Sequence, residues 1–243
     1  MPTSQKSFEA LIGRFKAGNT LLQGWVDYAP SNSLIQKAAL AAFITEVEAA
    51  NLLVATTKTA LDNARAARAA LVFIDKDRNP TCLERRLQTI VPYLSGEFGK
   101  NHPATKFVHS VRLKMRPNYK KKAEGAPRGA GNSPMERSYA AAVGQAQEVI
   151  SRLTSLGAAY KPADSNLKPP ALQTLVDQII AANTDVQNAT EAYGVANHAR
   201  KTLYDNASGM TSRVTSVKGY LASFTGGKKS DHYREYNKAT KGT

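Results

Sequence analysis

One 33-residue pattern occurs twice in this chain, and any fold must house both copies. Residues 39–71 read ALAAFITEVEAANLLVATTKTALDNARAARAAL, and residues 171–203 read ALQTLVDQIIAANTDVQNATEAYGVANHARKTL. At a constant offset 11 of 33 positions are identical, including Ala49, Ala50 and Asn51 against Ala181, Ala182 and Asn183. In the first copy apolar or small residues recur in alternating steps of four and three: Phe43, Val47, Ala50, Val54, Thr57, Leu61, Ala64, then Arg68 and Leu71. The second keeps the ladder with Leu175, Ile179, Ala182, Val186, Ala189, Tyr193, Ala196, Arg200 and Leu203. Such a repeat holds one stripe of a helix against a partner helix, as in a coiled coil. No Gly or Pro falls between Ser31 and Arg78, so a helix of roughly 40 residues, about 60 Å long, is expected.

Punctuation agrees with this. Ser31, Asn32 and Ser33 offer N-caps before the first copy. Ser165 and Asn166 do so before the second, followed by Pro169 and Pro170, which a first helical turn tolerates. Arg68 and Arg200 interrupt the apolar stripe near its end. They are expected to favour the helix dipole and reach solvent or free carbonyls, in preference to forming an anion site between helices.

A shorter helix is expected before each long one, over residues 7–27 with Phe8, Ile12, Phe15, Asn19 and Leu22, matched by Tyr139, Val143, Ala146, Ile150 and Leu153. Tyr28 and Pro30, matched by Tyr160 and Pro162, mark a shared turn. A third helix follows each long one, with Leu83, Leu87, Ile90 and Leu94 against Met210, Val214, Val217 and Leu221. Pro92 and Gly219 fall at equivalent places there, costing roughly 3 and 1 kcal/mol against alanine in a helix interior, so a bend or early stop is expected. Each half closes in a basic tail able to form a short helix. The fold class is therefore all-α: a tandem duplication of an elongated three-helix unit with long coiled-coil-like central helices. The expected domains are residues 1–116 and 135–243, joined by a Pro/Gly-rich basic linker over 117–134.

Chemistry is scarce. The chain lacks His-Glu-x-x-His, Cys-x-x-Cys, Glu-x-x-His and Gly-x-Gly-x-x-Gly patterns, and Thr225 to Ser230 only approximates a phosphate-binding loop, with Ala222 where its first glycine belongs. The four histidines are scattered and read as solvated, and the single cysteine, Cys82, reads as a small apolar residue. No enzyme activity, cofactor or metal is expected. The start has no signal-peptide core and no run approaches 18 apolar residues, so a cytoplasmic chain without a membrane span is expected.

Charge is the remaining signal. Of a net +14, residues 107–137 carry +6 and residues 213–243 carry +5. Basic side chains neutralise phosphates, and neighbouring Tyr119, Tyr233 and Tyr236 could stack on bases. The candidate polyanion-binding residues are Lys114, Arg116, Lys120, Lys121, Lys122, Arg128, Lys228, Lys229, Arg234 and Lys238. Two functional readings result. In the first, a non-enzymatic structural or interaction protein makes contacts with itself, as a homo-oligomer, or with another protein. In the alternative, the linker and tail bind nucleic acid or another polyanion without sequence preference. A metal- or ligand-binding bundle ranks third.

Overall fold

The computed structural model of the chain describes residues 7–73, 81–115 and 139–241, and these are all-α. Eight α-helices are found among them: α1 (Phe8–Gly24), α2 (Lys37–Val72), α3 (Leu83–Glu97), α4 (Pro103–Met115), α5 (Tyr139–Ser155), α6 (Pro169–Asp205), α7 (Met210–Leu221) and α8 (Asp231–Ala239). Both long stretches are single helices, of 36 residues in α2 and 37 in α6. At 1.5 Å per residue each is about 55 Å long. Pro169 and Pro170 open α6. Asn32 and Asp164 cap short 3-10 turns, Ser33–Ile35 and Ser165–Leu167, just ahead of the long helices. Asp164, not Ser165, is thus the capping residue in the second copy.

Two compact units divide the chain, one from residues 1–60 with 190–243, the other from residues 61–189. These units cut across the expected boundaries at 116 and 135, because each draws on both halves of the sequence. The reason is length. A helix of about 25 Å such as α1 covers less than half of a long helix's stripe, so the remaining stripe is buried by other elements. Residues 37–60 of α2 serve the first unit and residues 61–72 the second. The expected linker, residues 117–134, lies outside the described residues.

In the first unit the core gathers Ile12, Phe15 and Leu22 of α1, Leu40, Phe43 and Val47 of α2, Tyr204 of α6, Val214, Val217 and Leu221 of α7, and Tyr236 of α8. In the second, Leu87, Ile90 and Leu94 of α3 meet Val108 and Val111 of α4, Val149 and Leu153 of α5, and Leu175, Val176 and Ile179 of α6. Most of these are ladder residues of the sequence, but Leu40, Tyr204, Tyr236, Val108, Val111, Val149 and Val176 are not. α3 runs through Pro92 to Glu97, and α7 ends two residues beyond Gly219, so the expected early stop holds for α7 alone. Pro92 is exposed on α3, where its ring meets solvent instead of the core.

The arginines on the stripe do not extend freely to solvent. Within the second unit Arg68 lies 3.7 Å over the Tyr139 ring and donates from Nη1 to Asn183 Oδ1 at 3.3 Å. Within the first, Arg200 lies 4.1 Å over the Phe8 ring and donates from Nη2 to Asn197 Oδ1 at 2.7 Å. Among the described residues neither buried Nε atom has a hydrogen-bond partner. Stacking on an aromatic face offsets part of the charge's desolvation, which composition alone did not reveal.

Candidate polyanion interface

The C-terminal basic residues fall on one continuous segment of the first unit. Gly226 and Gly227 have φ of +91° and +55°, a region that favours glycine, and they turn the chain into the 3-10 stretch Gly227–Lys229. Ser230 then caps α8, its hydroxyl accepting from Tyr233 N at 3.3 Å. One face of α8 is anchored by Tyr236, buried against α1. A Cβ on Gly18 would lie 2.7 Å from Thr240 and 2.9 Å from the Tyr236 ring, so the glycine permits this approach. Burial, and then Tyr28, raises the Tyr236 phenol well above its usual pKa. Lys228, Lys229, Arg234 and Lys238 all remain exposed, with Arg234 and Lys238 one helical turn apart. Asp231 and Glu235 share α8 with them and lower its net charge.

Lys114 belongs to the second unit, exposed at the end of α4. Arg116, Lys120, Lys121, Lys122 and Arg128 lie outside the described residues. The structure therefore brings together four of the ten candidates.

Beside α8 is an aromatic cluster that sequence reasoning missed. The His232 ring packs 4.3 Å from Trp25 and 5.7 Å from Phe224, and its Nε2 lies 3.4 Å from Asp27. His232 is thus a partnered residue on α8 and not a solvated one, while His109 lies exposed on α4. The signal was the lone tryptophan, Trp25, two residues before Asp27 and three before Tyr28. Tyr28 and Tyr160 are buried and donate to Ile35 O at 2.6 Å and Leu167 O at 2.8 Å. They hold turns, and burial raises both phenol pKa values.

A second feature is the outer face of α2 within the first unit. Ala42, Thr45, Ala49, Leu52, Thr56 and Thr59 recur at three-four spacing, and all are exposed and uncharged. Leu52 is 68% exposed and its neighbour Leu53 53%. The threonine hydroxyls donate back to carbonyls four residues earlier, Thr45 to Ala41 O, Thr56 to Leu52 O and Thr59 to Ala55 O. That pairing occupies their donors and leaves methyl groups outward. By length and composition α2 is also the one helix among the described residues that could cross a membrane, with an 18-residue window of mean hydropathy 1.6.

Among the described residues no group of three or more His, Cys, Asp or Glu side chains could share a metal ion. Cys82 is fully buried, and burial raises its thiol pKa. What the exposed arrangements offer is surface recognition, through charge on α8 and apolar contact on α2. Set against protein-family models, curated proteins and solved structures, the chain has no significant match in any of the three.

Proposed function

We propose that the protein is a non-enzymatic structural or interaction protein that self-associates through the outer face of α2. The observation that carries this reading is the exposed, uncharged stripe of Ala42, Thr45, Ala49, Leu52, Thr56 and Thr59. A three-four stripe is the geometry that helix–helix packing uses. A second copy presents the same stripe, so an isologous two-fold contact between α2 helices is available. A bilayer is the weaker partner. Phe43 and Val47 of the same helix belong to the core of the first unit, and that core would have to open. Glu46 and Glu48 would also enter the membrane, at about 2.5–3.5 kcal/mol for each charge near its centre.

Tandem duplication is part of the same proposal, supported by contacts that recur in each unit. The Tyr28 and Tyr160 hydroxyls bond carbonyls seven residues on. Arg86 and Arg213 each donate from Nε to a carbonyl five residues back, Thr81 O and Ser208 O, both at 2.8 Å. Tyr93 and Tyr220 stack edge-on against Tyr160 and Tyr28. The copies diverge on the outer face, since α6 has Asp177 where α2 has Thr45, so α2 alone is assigned the contact.

Size exclusion with multi-angle light scattering, at low and high salt, tests self-association. Dimers or larger assemblies that persist at high salt are expected, with Leu52→Glu/Leu53→Glu returning the chain to a monomer of unchanged helix content. A wild-type monomer at high concentration would sink the reading. Binding of polyanions through α8 is the second reading, favoured by the exposure of all four of its basic candidates.

A further inference from the structure

The α3–α4 region of the second unit contains a site independent of both readings above. Gly99, at φ +88°, turns the chain directly after α3, a conformation that side chains other than glycine adopt with strain. His102 then accepts from Ala104 N at its Nδ1, at 3.2 Å, and starts α4. The tight connection leaves a partly enclosed groove of about 320 Å³, lined by Val91, Ser95, Lys100, Thr105, Lys106 and His109. Among the described residues no carboxylate lines it. Lys100, Lys106 and His109 are exposed, and among the described residues neither lysine has an ion-pair partner. Both hydroxyls already donate, Ser95 to Val91 O at 2.9 Å and Thr105 to Gly99 O at 3.1 Å. Attraction into the groove therefore rests on the two ammonium groups and the imidazole.

We propose that this groove binds a phosphate ester, from a nucleic-acid strand or a nucleotide, through Lys100, Lys106 and His109. Three properties select that chemistry. Its volume reaches the lower range of small-molecule pockets, about 300 Å³, so it takes an ester together with its attached group. Lysines act as point charges suited to a phosphate, whereas planar carboxylate recognition favours arginine forks, and among the described residues no arginine lines the groove. The helix that forms one wall, α4, has no acidic residue at all, and Lys114 is exposed about two turns beyond Lys106 on it. Positive charge thus continues beyond the groove along about 12 Å of helix axis.

Fluorescence polarisation of the full chain with a fluorescein-labelled 12-mer of thymidylate, from 50 to 200 mM salt, tests the site. AMP and polyglutamate serve as unlabelled competitors. Lys100→Ser/Lys106→Ser is expected to lose at least tenfold in affinity. Its salt dependence should become shallower by about 1.4 on logarithmic axes, two contacts at about 0.7 each for a single strand. Lys228→Ser/Lys229→Ser, in the other unit, should keep the groove's binding. Displacement by millimolar AMP identifies a nucleotide as the source of the phosphate, and resistance to AMP identifies the strand. The proposal is overturned if the groove variant binds like wild type, if wild type binds neither the oligomer nor AMP, or if polyglutamate competes equally at matched charge. Both lysines are exposed, so circular dichroism should show the variant folded.

Discussion

Three buried tyrosines act as posts, two of them through hydroxyl hydrogen bonds. Tyr28 and Tyr160 each tie a turn to the segment ahead of a long helix, and Tyr236 fastens α8 to α1 beside Gly18. Burial raises all three phenol pKa values above the ordinary tyrosine value of about 10, with smaller contributions from Tyr220, Tyr93 and Tyr28 respectively. The sign of the linkage follows. Above pH 10 the unfolded chain loses protons that the native chain keeps, so stability present below pH 10 is lost as pH rises further. Absorbance at 295 nm during alkaline titration should show these tyrosines ionising only with the loss of helical circular dichroism. Ionisation of the full tyrosine complement with helix intact would contradict the burial argument. Arg68 and Arg200 give the other lesson at this scale. A cation on an apolar stripe reads as an end-of-helix residue in sequence, yet here the aromatic rings of Tyr139 and Phe8 receive it.

Between elements, arginine staples do what the apolar ladder cannot. Arg86 of α3 donates from Nη1 to Asn166 O at 3.0 Å and to Ala171 O at 2.8 Å, joining α3 to the start of α6. Its Nε bond to Thr81 O fixes the guanidinium plane. Arg86→Ala removes these charged donors, each worth about 1.5–3 kcal/mol when shielded and less at this half-exposed position. A net loss of about 2–3 kcal/mol is expected, read as a lower urea midpoint, and Arg86→Lys should recover little because it lacks the fork. An unchanged midpoint for Arg86→Ala would show the staple to be idle. The helices themselves were legible, since the four-three ladder named the residues that became buried, from Phe43 and Val47 to Val176's neighbours Leu175 and Ile179. Their partners were not. A heptad stripe states that a helix packs without stating against which helix, and Arg86 meets carbonyls 80 and 85 residues away. Lys100 and Lys106 escaped notice because a turn, not a periodicity, brings them to one groove.

At the scale of the molecule, each compact unit is completed by both sides of the 117–134 segment. The second needs residues 61–115 and 139–189, and the first needs residues 7–60 and 190–241. Two separately expressed chains, 1–125 and 126–243, should therefore associate one to one when made together, because neither half contains a whole core. Co-purification through a tag on one chain checks this. Two independently folded, non-associating halves would restore the division that the repeat pattern suggests. The same interdependence sets a clock during synthesis. At about 5–20 residues per second, the ribosome needs roughly 7–26 s to pass from residue 60 to residue 190, the stretch that divides the first unit's two segments. Throughout that interval Phe15, Leu40, Phe43 and Val47 have been made while Val214, Val217 and Tyr236 have not. The newborn amino-terminal helices therefore wait, with part of their apolar surface uncovered, for the last fifth of the chain.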